Sequence, residues 1–247
     1  MLEKKFFEET YARYNKESFI YTDPLQFPKK FKDKKDIEIS ALLSSSLAYG
    51  NVKQIIKSLE KIFEKLRNPY EYLTLTPEER IKKDFIGFKH RFTKGPEIAN
   101  MILNLKDLYE KYGSMEKAFL KHINKEDTNA YPATIRFLKE FSIRRTPTLI
   151  PDPNKKSAFK RFNLFLRWLV RKDEVDIGIW GNIPPAFLII PLDTHMLNIS
   201  RKLGITKRKD NSIITALEIT NYFKKINPKD PVKYDFSLTR APILKRF

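Results

Sequence analysis

At 247 residues the chain can form one large domain or two lobes and can bury a sizeable core, and its 48 Lys+Arg against 30 Asp+Glu leave a charge of +18. That excess favours polyanionic partners, nucleic acid before an acidic membrane surface. Cysteine is absent, which excludes disulfides, zinc–thiolate sites, a cysteine nucleophile and a cysteine-bound iron–sulfur cluster; the three histidines are too scattered for a metal motif.

Glycine is scarce, alternating strand patterns are rare, and helical periodicity dominates, so the fold class expected is all-α. The start, MLEKKFFEETYARY, has acidic residues and no long apolar core, so it predicts a first helix over 2–14 rather than a signal peptide. TDPLQFPKKF (22–31) is a proline-broken connection. Asp36 to Leu47 reads as a deeply packed helix, broken by Ala48-Tyr49-Gly50-Asn51. An amphipathic helix then runs from Val52 to Arg67 and stops at Asn68-Pro69. Thr76-Pro77-Glu78-Glu79 is a helix start, and further helices fit 96–111, 114–123 and 131–142. A proline-rich connection over 143–154 leads to a helix over 155–171 and a turn-rich stretch to 190. A helix opening at Asp193 and another over 212–226 follow. The lobes expected are 30–140 and, for the second, 1–29 with 141–247. No run approaches the ~20 apolar residues of a membrane helix, so a cytoplasmic protein without membrane contact is expected.

Two segments carry candidate chemistry. In PLDTHMLNISRKLGI (191–205), Asp193 or Thr194 can cap a helix whose apolar face includes Met196, Ile199 and Leu203, with Arg201 and Lys202 in its last turn. In SAFKRFNLFLRWLVRK (157–172), Lys160, Asn163, Arg167 and Arg171 follow helical spacing and form one polar stripe, a lining suited to an anion-binding cleft or else a solvated face. Lys160 lies in the first turn, where the positive end of the helix dipole favours a neutral, nucleophilic amine. Lys155, Lys156 and Arg161 flank that helix entrance, a natural place for phosphate. A lysine amine with an aspartate is equipment for attack on C1′ of a nucleotide.

PLDTHMLNISRKLGI is similar to the V-D-T-H-x-x-R-V-x-x-R-L segment of the helix-hairpin-helix DNA glycosylase superfamily, which includes endonuclease III and the 8-oxoguanine glycosylases. EISALLSSSLAYGNVKQIIKSLEKIF (38–63) resembles that superfamily's early helix pair. More closely, the chain resembles a family of uncharacterised, mostly bacterial proteins. Its marks are DPLQFP, DIEISALLSSSLAYG, a K-R-x-x-x-F-L-R-W segment (Lys160 to Trp168), VDIGIW, PLDTH and DPVKYDF. The superfamily's glycine hairpin is absent, its place taken by LIPDPNKKSAFK.

The resemblance implies a two-lobed, glycosylase-like fold with a central cleft and a metal-free base-excision DNA glycosylase with abasic-site lyase activity, needing no cofactor. Asp193 maps onto the catalytic aspartate. Lys160 is the nucleophile expected, with Lys156 second and Lys172 third; they precede Asp193 by 33, 37 and 21 residues. Duplex DNA carrying a damaged base is the partner implied, and oxidised purines such as 8-oxoguanine are a candidate substrate class. Lys155, Arg161, Arg167, Arg171, His195, Arg201 and Lys202 are candidate phosphate contacts. Trp168 and Trp180 are candidates for stacking on an extruded base, and Ser46 and Tyr49 for filling the gap it leaves. Two alternatives stay open: a non-catalytic DNA- or RNA-binding protein on the same scaffold, and an enzyme acting on RNA or free nucleosides.

Overall fold

Side-chain caps set many of the helix starts. Asp33, Asn51, Ser114, Asp193 and Ser212 each turn an oxygen back onto backbone N–H groups of the turn that follows. The computed structural model describes residues 4–241. In chain order its helices are α1 (Lys4–Tyr14), α2 (Lys34–Ser46), α3 (Val52–Lys65), α4 (Pro69–Leu75), α5 (Glu78–Asp84), α6 (Gly95–Tyr112), α7 (Met115–Leu120), α8 (Ala130–Phe141), α9 (Lys160–Val170), α10 (Thr194–Lys202), α11 (Ile213–Ile226) and α12 (Asp235–Arg240). Short 3₁₀ turns fill the proline-broken stretch between α1 and α2. Among the described residues no helix is long and apolar enough to cross a membrane.

The fold is mostly helical, as periodicity predicts, with one departure. An antiparallel hairpin of two-residue strands, β1 (Lys89–His90) and β2 (Thr93–Lys94), lies between α5 and α6. Strands that short carry too few residues to display an alternating pattern. The helix expected to run to Arg67 and stop at Asn68-Pro69 already ends at Lys65, and Pro69 opens α4 as its first residue, where a missing N–H costs nothing. The helix expected over 155–171 begins only at Lys160. The chain before it is held extended against the start of α11, with Ile213 N donating to Lys156 O and Ala158 N to Asn211 O, both at 3.2 Å.

The chain divides into two compact units: an inner one of Thr22–Asp127 with Tyr131–Lys155, and a terminal one of Met1–Tyr21, Thr128–Ala130 and Lys156–Phe247. In the inner unit α2 is buried from Ile37 to Ser46, including the Glu38 carboxylate. Glu38 accepts from Tyr109 Oη at 2.7 Å and from the N–H groups of Met115 and Glu116, so it satisfies orphan donors at the start of α7. The terminal unit closes around aromatic rings: Phe7 of α1 packs edge-on against Phe223 of α11 and beside Tyr234, with centroids 5.3 and 5.4 Å apart.

Candidate active site

The terminal unit brings the two chemistry-bearing helix starts together. Asp193 caps α10, its Oδ1 accepting from Met196 N at 2.9 Å. That leaves Oδ2 directed elsewhere, and it lies 3.8 Å from Nζ of Lys160, the first residue of α9. The separation is too long for a hydrogen bond and short enough for ionic attraction. Both side chains are partly exposed, at 26% and 33%, so a ligand can reach the pair. Phe159, just before Lys160, adopts a left-handed backbone with φ 47°, a conformation costly for an aromatic residue. Asn163, wholly inside, fixes that turn by donating from Nδ2 to Ala158 O at 2.9 Å.

The rest of the polar stripe on α9 faces inward. Arg167 and Arg171 are both 3% exposed, which overturns their assignment as phosphate contacts and the stripe's reading as an anion-binding lining. Their anions belong to the chain itself. Arg167 pairs through Nε with Asp176 at 3.2 Å and through Nη1 with Asp235; Arg171 pairs with Asp173, Asp176 and Asp230. A sharp reversal after α9 delivers Asp176 to these arginines. Ile177 N and Gly178 N both donate to Trp168 O, and Trp180 N donates to Leu169 O, satisfying carbonyls that the end of the helix leaves free. Gly178, at φ 65°, is required in this turn because a Cβ would sit 2.4 Å from that of Lys172.

These contacts shift the carboxyls in different directions. Burial pushes Asp176 up, against the opposing pull of Arg167 and Arg171. Burial also pushes Asp235 up, to about 6; Arg167 opposes the shift, and the nearby charge of Asp193 adds to it. Asp173 is held low despite its burial, because Arg171 and the N–H groups of Val175 and Asp176 favour the charged form.

Asp235 therefore favours the fold when protonated. Its contribution is complete below its ordinary value of 3.8 and is lost as pH rises to about 6. Asp235→Asn, permanently neutral, should gain on the parent in unfolding free energy as pH rises from about 4 to about 7, by on the order of 2–3 kcal/mol, and in melting temperature accordingly. Thermal melts across that range check this; a difference that does not move with pH counts against it.

The other predicted site residues divide clearly. Trp168 and Trp180 are fully buried, so neither ring has a face to offer a base; Trp180 instead meets Phe165 edge-on at 5.3 Å. Ser46 is buried within α2, which removes it as a gap filler. Tyr49 is half-buried, with its hydroxyl bonded to His90 O at 3.0 Å and to Thr93 Oγ1 at 2.7 Å, so its role in the inner unit is to brace the hairpin. Lys155 and Lys156 are exposed, Arg161 is half-buried, and Lys156 makes no ion pair with Asp193. Lys172 lies beyond the far end of α9, about 16–18 Å from Lys160 along the axis. His195, Arg201 and Lys202 are exposed on α10, and His195 and Lys202 line one shallow hollow with Leu238 and Thr239 of α12.

Sequence spacing along α9 did not reveal Asp176, Asp230 and Asp235 as partners of its arginines. A signal existed, because they lie in VDIGIW and DPVKYDF, two of the segments that mark the chain's resemblance. Lys160 to Trp168, VDIGIW, PLDTH and DPVKYDF thus supply one connected set of charges.

Fold and site together define a mostly helical protein whose terminal unit holds a partly exposed lysine–aspartate pair beside a buried arginine–carboxylate network. Residues 23–244 match the family described as "Protein of unknown function (DUF2400)", and the chain belongs to it. No curated protein and no solved structure matches the chain.

Proposed function

We propose that the chain is a base-excision DNA glycosylase with abasic-site lyase activity, of the helix-hairpin-helix kind. The observation that carries this reading is the 3.8 Å approach of Lys160 Nζ to Asp193 Oδ2, both reachable from solvent. A chain of charge +18 supplies long-range attraction for a polyanionic substrate.

In this mechanism the damaged nucleotide leaves the base stack and its C1′ comes to lie against the pair. The Lys160 nitrogen bonds to C1′ while the C1′–base bond breaks, and the base departs with the bonding electron pair and takes its proton from solvent water. Asp193 takes the proton that the amine gives up and stabilises the positive charge that develops on the sugar. Ring opening gives an imine between Lys160 and C1′, and β-elimination then expels the 3′ phosphate. Arg167 ties α9 to α12 through Asp235 and takes no part in bond making.

Borohydride reduction of the imine tests this. Incubated with duplex DNA carrying an abasic site or 8-oxoguanine, the parent chain should yield a covalent adduct on a denaturing gel and Lys160→Ala should yield none. A lesion panel on which the parent traps no more than Lys160→Ala overturns the lyase reading. Salt-sensitive binding without any adduct would then favour the non-catalytic alternative.

A further inference from the structure

We infer that the β1–β2 hairpin and the adjoining face of α3 form a binding surface for nucleic acid with unpaired bases, separate from the Lys160–Asp193 pair. The surface lies wholly in the inner unit and does not depend on any chemistry at Lys160.

Among the described residues its lysines have no carboxylate of the chain to meet them, and its arginine, Arg91, has only the Phe92 ring, over which its guanidinium lies at 5.6 Å. Lys57 and Lys61, one turn apart on α3, line a single concavity with Lys89 and Arg91 of the hairpin. All four are exposed, and none is in an ion pair among the described residues. The strand register adds to the repulsion by setting Lys89 directly opposite Lys94, a like-charge pair that weakens a free hairpin. A bound anion relieves it. Arg171 and Arg167, by contrast, each have carboxylates of the chain to meet them.

The tip of the hairpin is unfavourable in two further ways. Arg91 holds a left-handed backbone with φ 52°, outside the usual range for a residue with a side chain. Phe92 beside it leaves 72% of its surface in water, while the large aromatics of the core are buried. Neither results from slack in the chain. His90 is buried beneath the tip, donating from Nε2 to Tyr49 O at 3.2 Å and accepting at Nδ1 from Ser58 Oγ at 2.9 Å. Thr93 bonds Tyr49 and Thr148, and Thr148 donates to Glu97. The Arg91 side chain lies against Gly50, where a Cβ would come within 2.6 Å of it. A strained turn held this firmly is a preorganised one.

An exposed aromatic ring flanked by cations that no carboxylate meets matches a strand whose phosphates bind the lysines and Arg91 while one base stacks on the face of Phe92 away from the Arg91 guanidinium. Stacking needs a base with a free face, which selects single-stranded or locally unpaired nucleic acid over a closed duplex. A polyanion without bases can satisfy the cations and leaves Phe92 unused.

Fluorescence anisotropy of the full chain tests the surface, using a labelled mixed-sequence oligonucleotide, the same sequence as a duplex, heparin, and phosphatidylglycerol vesicles. The residues substituted on this surface are all exposed, and equal melting temperatures confirm that the variants fold. Phe92→Ala should weaken oligonucleotide binding about tenfold and leave heparin binding unchanged. The triple variant K57A/K61A/K89A should weaken binding to both and reduce the salt slope for the single strand by about 2. Lys224→Ala, an exposed cation of α11 outside both sites, should bind as the parent does, and the borohydride adduct reads Lys160 separately, so this surface stands or falls apart from the lyase mechanism. Parent-like oligonucleotide affinity in either surface variant overturns the inference. So does equal loss on heparin and oligonucleotide in Phe92→Ala, or a Phe92-dependent preference for the vesicles.

Discussion

Arg167→Ala is expected to destabilise the terminal unit by about 3–5 kcal/mol at neutral pH, lowering its melting temperature by on the order of 10 °C. The loss arises less from the missing attraction than from what remains. Asp176 and Asp235 are both fully inside, and Arg167 lies between them as a shared counter-charge. Removing it leaves Asp235 without a cation and Asp176 dependent on Arg171 alone. The abandoned carboxyls then titrate at still higher pH, so the variant should recover part of its stability on acidification. Adding Asp235→Asn to Arg167→Ala should recover part at neutral pH as well, because an amide tolerates a dry site that a carboxylate does not. Thermal melts of the single and double variants at two pH values measure this. A single variant that melts with the parent would mean that Arg167 is not the counter-charge the geometry makes it.

That network also marks where sequence reading reaches its limit. Helix identity was largely legible: Val52–Lys65, Gly95–Tyr112 and Ile213–Ile226 follow from apolar spacing and turn residues, with ends within about two residues of those expected. Asp193 was legible as a cap for the same local reason. The direction in which the stripe on α9 faces was not. Lys160, Asn163, Arg167 and Arg171 have the same spacing whether they meet solvent, a ligand or buried carboxylates, and the carboxylates come from as near as Asp173 and from as far as Asp235, 68 residues beyond Arg167. A charged stripe on an apolar helix means different things according to its partners, and a helical pattern holds no record of them. The two tryptophans failed for a related reason, since aromatic side chains fill a core as readily as they stack on a ligand. The hairpin was hidden by its brevity, and the left-handed Phe159 by having neither glycine nor asparagine to announce it.

The pairing of Lys160 with Asp193 was permitted by sequence but not required by it, and Asp193 is where structural and chemical roles most need separating. Asn and Asp cap helices about equally well, whereas Ala cannot cap. Asp193→Asn should therefore leave stability close to the parent's. The ion pair with Lys160 is about one-third exposed on the Asp193 side and contributes little by itself. Asp193→Ala should cost about 1 kcal/mol through the lost bond to Met196 N. On the glycosylase reading activity follows the opposite logic. Neither Asn nor Ala can take a proton from the Lys160 amine or stabilise positive charge on the sugar, so strand scission at an abasic site should fall about 10²–10⁴-fold in both. Single-turnover scission assays beside thermal melts give the two readouts. An Asn variant that cleaves as fast as the parent would make the carboxylate a cap and nothing more. One that keeps its stability and loses its activity assigns Asp193 the chemistry, because the cap has been conserved and only the charge removed.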